Sequence, residues 1–159
     1  MPSEVLQSVP WLLTAAGLFF TWAQLRINTR LKRSEFIVSE VYRFLFDEDT
    51  LEIYYEIEYD RLRYPEHFHD SVQEKKIDKL LAYFERLGAL FRLGTITLQE
   101  IGLIEYELLR VYRAASIQEY LKTMDRESRQ LGQTGVQYRY FRELCKTLSA
   151  PKGRLSSTR

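Results

Sequence analysis

The chain is poor in the residues that most often carry covalent or metal chemistry. A single cysteine, Cys145, excludes an intramolecular disulfide framework and a cysteine-rich zinc site, and it fits a reducing compartment. An excess of one charge is also missing. Lys and Arg number 23 against 22 Asp and Glu, so the net charge is +1. A nucleic-acid binder would carry a large cationic surplus, and nucleic acid is therefore not a favoured partner. Seven glycines and four prolines in 159 residues, with 45% apolar content, exclude a collagen-like or globally disordered chain. Period-two alternation and β-hairpin dipeptides are lacking too, which argues against a sheet.

One long uncharged stretch is present. Between Glu4 and Arg26 lie 21 residues without charge, Val5 to Leu25. As a helix they would span roughly 31 Å, about one hydrocarbon core. Trp11 and Trp22 flank the most apolar part, which includes Leu12, Leu13, Leu18, Phe19 and Phe20. Arg26, Arg30, Lys32 and Arg33 follow, with no acid before Glu35, and could meet anionic lipid headgroups. The positive-inside rule then places the N-terminus outside and the rest of the chain in the cytoplasm. Gln7, Pro10 and Gln24 interrupt the stretch, so an interfacial or buried helix competes with a single-pass anchor. A cleaved signal peptide fits poorly, because the basic residues follow the apolar run instead of preceding it.

From Ser34 onward apolar residues recur at helical spacing. The anchor helix is expected to continue through Phe36, Val41 and Phe44, since no Gly or Pro lies between Arg26 and Phe46. Capping-box patterns open the later helices at Asp49/Glu52, Asp70/Gln73, Thr97/Glu100, Ser116/Glu119 and Thr134/Gln137. The clearest stripe is Ile77, Leu80, Leu81, Phe84, Leu87, Leu90 and Phe91. The expected fold is all-α, an N-terminal transmembrane helix running into a compact bundle of about five further helices. Residues 1–33 form the anchor and basic juxtamembrane segment, 34–150 the bundle, and 151–159 a disordered tail.

Sites for chemistry are sparse. His67 and His69, two apart in a loop with Glu66 and Asp70 beside them, are the candidate metal ligands. Their spacing lacks the i, i+4 arrangement of helical zinc sites, and a polar interhelical loop is the plainer reading. The acidic run Asp47, Glu48, Asp49, Glu52, Glu56, Glu58 and Asp60 lacks the EF-hand order and reads as a solvated face or a partner surface. Tyrosines at 54, 55, 59, 106, 112, 120, 138 and 140 suit bundle edges and protein interfaces. Arg139 and Arg142 beside Tyr140 would be the nucleic-acid version of that cluster. Cys145 lies in the apolar period of the last helix and reads as an inert thiol. Phosphate loops and GxSxG are missing, and no cofactor is expected.

The segment Leu80-Leu81-Ala82-Tyr83-Phe84-Glu85-Arg86-Leu87-Gly88, followed by Leu93-Gly94-Thr95-Ile96-Thr97 and later Tyr140-Phe141-Arg142-Glu143-Leu144, carries a resemblance. It resembles a group of small bacterial proteins of unknown function, with an N-terminal hydrophobic helix and an aromatic-Phe-Glu-Arg-aliphatic-Gly element. The resemblance covers about Glu35 to Leu148. It implies a helical domain tethered at a bacterial inner membrane, and structural roles for Phe84, Glu85, Arg86 and Gly88. The expected function is a membrane-tethered interaction module without catalysis, accessory to bacterial stress or defence signalling. Its partners would be the lipid bilayer and another protein or a second copy. A metal-dependent enzyme built on His67 and His69, or a soluble homo-oligomer burying the N-terminal helix, are the competing readings.

Overall fold

The computed structural model describes residues 3–64, 68–132 and 135–150, with side chains at Thr14 and from Ala16 onward. In chain order the elements are α1 (Ser3–Phe46), α2 (Glu48–Glu58), α3 (Val72–Arg92) and α4 (Leu98–Ile101). A 3-10 turn (Gly102–Ile104) follows, then α5 (Glu105–Arg113), α6 (Ala115–Gln130) and α7 (Arg139–Ser149). Strands are absent among the described residues. The chain divides into two compact units, Met1–Val38 and Ser39–Arg159.

The first unit is helical and leaves large apolar side chains bare. Leu18, Phe19, Phe20, Trp22, Leu25, Ile27 and Leu31 are all exposed. Two threonine hydroxyls in this stretch are satisfied within the helix itself. Thr21 donates to the Gly17 carbonyl at 2.9 Å and Thr29 to the Leu25 carbonyl at 2.7 Å. Among the described residues, no helix is long and apolar enough to cross a membrane. The expected single-pass span is not supported there, because Thr21 and Gln24 dilute the apolar run before the cations begin. Trp11, Leu12 and Leu13, the N-terminal half of that span, lie outside the residues whose side chains are described.

The second unit is built around α3. Ile77, Leu80, Leu81, Phe84 and Leu87 recur at steps of three and one, and each is buried. Burying each stabilises the fold by about 1.5–3 kcal/mol relative to exposure. α3 packs on α7 and on α2, while α5 touches α7, α6 and α2. At the C-terminus of α3, Gly94 adopts φ +70°, and the Thr95 and Gly94 amides donate to the Leu90 and Phe91 carbonyls. This is a Schellman closure, and it turns the chain toward α4.

Local starts differ from expectation in instructive ways. Thr97 and Glu100 do form the capping box of α4. α2, however, begins earlier than the Asp49/Glu52 pattern suggests, because Asp47 accepts the Thr50 amide at 2.9 Å. Ser71, and not Asp70, caps α3 by accepting from the Glu74 amide at 3.1 Å. The helix that opens at Thr97/Glu100 is short, because a 3-10 turn at Gly102 interrupts it before α5. α6 follows Ala114 without a side-chain cap.

α3 and α7 approach so closely that one position has no room for a side chain. A Cβ on Gly88 would lie 2.5 Å from the Tyr140 carbonyl oxygen and 2.8 Å from the Phe141 nitrogen. Both neighbours are backbone, so neither can swing aside. An alanine there gains about 1 kcal/mol of helix propensity but incurs overpacking of about 3 kcal/mol. Gly88→Ala is therefore expected to lose about 2 kcal/mol in urea unfolding, where an ordinary helical glycine would gain stability on the same change.

Candidate functional site

The aromatic-Phe-Glu-Arg-aliphatic-Gly element lies on the face of α3 that meets α7. Phe84 stacks on Phe141 with ring centroids 5.5 Å apart and planes 16° apart. Glu85 accepts hydrogen bonds from the backbone amides of Tyr140, at 3.2 Å, and Phe141, at 2.8 Å. These amides belong to the first turn of α7, where donors lack helical partners and negative charge is favourable. Glu85 thus caps α7, which begins at Arg139, from a different helix; Thr134 of the expected Thr134/Gln137 cap lies outside the described residues. Arg86 is exposed. The element positions a helix and presents no reacting group.

A second cluster supports the same joint. Asp78 Oδ1 accepts from the Tyr120 hydroxyl at 2.6 Å and the Tyr138 hydroxyl at 2.7 Å. Burial, and then the Asp78 carboxylate, push both phenols well above their ordinary range, so they remain donors. Tyr138 enters α7 with φ 51°, a left-handed conformation that is costly for a bulky residue. Its hydroxyl bond to Asp78 holds it there. Arg142 forks onto Asp125 with bonds of 2.7 and 2.8 Å, and Arg139 pairs with Glu143 at 2.8 Å. Both arginines of the nucleic-acid reading therefore have carboxylate partners within the domain.

The acidic run is similarly engaged. Lys79 reaches Asp47 at 2.8 Å and Asp49 at 3.1 Å, and Lys76 reaches Glu52 at 2.5 Å. Glu56 accepts from Gln73 and Glu58 from the Tyr106 hydroxyl, each at 2.9 Å. The run joins α2 to α3 and α5. His69 sits between Glu74, 3.3 Å away, and Glu127, 3.4 Å away. His67 lies outside the described residues. Among the described residues, no group of three or more His, Cys, Asp or Glu could hold a metal ion.

Concavities are modest. The cavity between the end of α1, the start of α2 and α3 measures about 260 Å³ and is lined by Arg43, Asp47, Lys79, Tyr83 and Arg86. Typical small-molecule sites run from about 300 to 1,000 Å³. A larger depression of about 550 Å³ along α5 is lined only by that helix and the turn before it. Cys145 is fully buried, and burial pushes its thiol up to about 12.

Two aromatic stacks face outward from the domain. Tyr42 and Phe46 stack at 5.5 Å with planes 6° apart, and Tyr55 and Tyr59 stack at 6.1 Å. All four are exposed. Such rings with polar tips are enriched at protein interfaces. Comparison with known protein families, curated proteins and solved structures finds no match.

The Lys79 hydrogen bond, with the Thr50 amide assisting, holds the Asp47 carboxyl below the usual carboxylate range. A depressed pKa stabilises the fold above the unfolded value, about 3.9, and the benefit disappears as pH falls through the folded value. Asp47→Asn keeps a competent helix cap. It is expected to lose about 0.5–1 kcal/mol at pH 7, with the gap from wild type closing as pH falls below the ordinary carboxylate range in parallel denaturation curves. The Cys145 thiol is expected to resist a disulfide reagent at pH 8 in the folded chain and to react fully in denaturant. Rapid labelling of the native protein would contradict its burial.

Proposed function

We propose that the chain is a non-catalytic interaction module held at a membrane by its N-terminal helix, with the helical domain on the cytoplasmic side. One observation carries this reading. Between Leu18 and Leu25 the exposed apolar side chains of Leu18, Phe19, Phe20, Trp22 and Leu25 cover more than half of the circumference of α1, with Gly17, Thr21 and Gln24 in the remaining sector, and Arg26, Arg30, Lys32 and Arg33 follow at once. An apolar face this wide, left bare by the rest of the chain, calls for a non-aqueous surrounding. The described part alone is too short to span, but the uncharged sequence continues back to Val5.

Supporting features agree with it. Arg26 lies over the Trp22 ring, 5.0 Å from its centroid, an aromatic and a cation together where an interface would begin. The internal hydroxyl bonds of Thr21 and Thr29 leave those residues without unmet demand for water. Four cations near an anionic surface are each worth about 1 kcal/mol. The exposed aromatic stacks on α1 and α2 suit a protein partner, and tethering raises the local concentration of both. The resemblance to small bacterial membrane-anchored proteins favours a bacterial inner membrane and an accessory role in stress or defence signalling.

Fractionation of cells expressing the full chain tests the reading. The protein is expected to stay with membranes through high salt and alkaline carbonate. Phe19→Glu with Phe20→Glu is expected to release it. Recovery of the wild-type chain as a monodisperse assembly without detergent would instead make the apolar helix a protein interface.

A further inference from the structure

Below Arg26, the large apolar residues that α1 exposes as far as Val38 are Ile27, Leu31, Phe36 and Val38. Three of these four share one side of the helix. Together with Phe20 they recur at intervals of seven, four and seven, and their exposures lie between 49% and 70%. That is the spacing of a heptad seam. Gln24, Leu31 and Val38 occupy its a positions, and Phe20, Ile27 and Ser34 its d positions, all on the exposed surface. The seam runs through 19 residues, about 28 Å of helix.

The flanking residues say what would cover it. Arg30 falls at g and Glu35 at the following e, both exposed. In a parallel pair of identical helices, g of one strand faces the next e of the other, so Arg30 would meet Glu35 twice across the seam. An antiparallel pair would set g against g, bringing the two Arg30 positions together. Gln24 is a polar residue at an a position, a device that fixes register and strand number. An apolar seam with self-complementary charge takes a second copy of itself.

We propose that α1 pairs with α1 of a second copy as a parallel two-stranded coiled coil along Phe20–Val38. The pairing deepens the interaction-module reading by naming a partner, and it does not require the membrane. Copies anchored in one membrane would nevertheless enter it already parallel, which lowers the orientational cost of association.

Cysteine cross-linking of the full chain in detergent tests it, since the native Cys145 is buried and out of reach. Ile27→Cys and Leu31→Cys are each expected to give a disulfide-linked dimer under mild oxidation. Thr29→Cys, on the opposite side of the helix, is expected to stay monomeric. Arg30→Glu should abolish the dimer in sedimentation equilibrium, and Arg30→Glu combined with Glu35→Arg should restore it. These positions are exposed, so a circular dichroism spectrum unchanged from wild type accompanies each result. Equal linking at all three positions, or a double charge reversal that fails to restore the dimer, overturns the proposal. So does a wild-type chain that resists carbonate extraction yet sediments as a monomer, and that result leaves the membrane reading standing. A dimer of a chain that carbonate releases supports the pairing and removes the membrane reading instead.

Discussion

The contact between α3 and α7 governs the second unit. Gly88 lets two backbones meet where any side chain would separate them, and the separation would propagate to Phe84 on Phe141 and to the Glu85 cap. Each of these interactions is ordinary in size, a ring stack or a pair of charge-assisted hydrogen bonds of about 1–3 kcal/mol. Their placement on a single helical turn makes them interdependent. Without the close approach, Glu85 could not reach the amides of Tyr140 and Phe141, and α7 would begin with open donors next to a strained Tyr138.

Electrostatics follow the same economy. Carboxylates of the acidic run are engaged in holding helices together, Asp47 and Asp49 with Lys79, and so are Asp78 with two tyrosines and Asp125 with Arg142. A charge committed to a structural partner is a poor proton shuttle, since moving its proton weakens the fold. The buried Cys145 thiol faces the Leu108 carbonyl, 3.8 Å away. These features describe a domain whose charges largely serve its own helix contacts.

Much of the architecture was readable from spacing alone. The α3 stripe, the Thr97/Glu100 box and the all-helical character follow from local rules, because the residues concerned lie within a few positions of each other. What escaped was non-local. The cap of α7 comes from Glu85, 55 residues before Tyr140, and no pattern near Thr134 could disclose it. Asp47, and not Asp49, caps α2 because the helix already begins at Glu48, which leaves Asp47 in the extended conformation that lets its carboxylate accept the Thr50 amide. The break at Gly102 is a tightening of one turn that the surrounding apolar period conceals. A glycine inside the strongest apolar stripe was the one visible sign of the α3–α7 contact, since such a residue costs helix stability unless packing requires it. Of the candidate site, the residues were legible and their roles were not, because the roles depend on which helices become neighbours.

The distance in sequence between α3 and its covering helix also bears on how the domain is made. Synthesis proceeds from the N-terminus, so α3 is complete long before α7 exists. Its apolar side then has α2 for company but no lid, and the Glu85 carboxylate has nothing to cap. Contacts of such large separation are slow to close, and the partly covered intermediate is the species most exposed to aggregation. The nascent chain therefore passes through a vulnerable interval that ends only when α7 has emerged to cover α3.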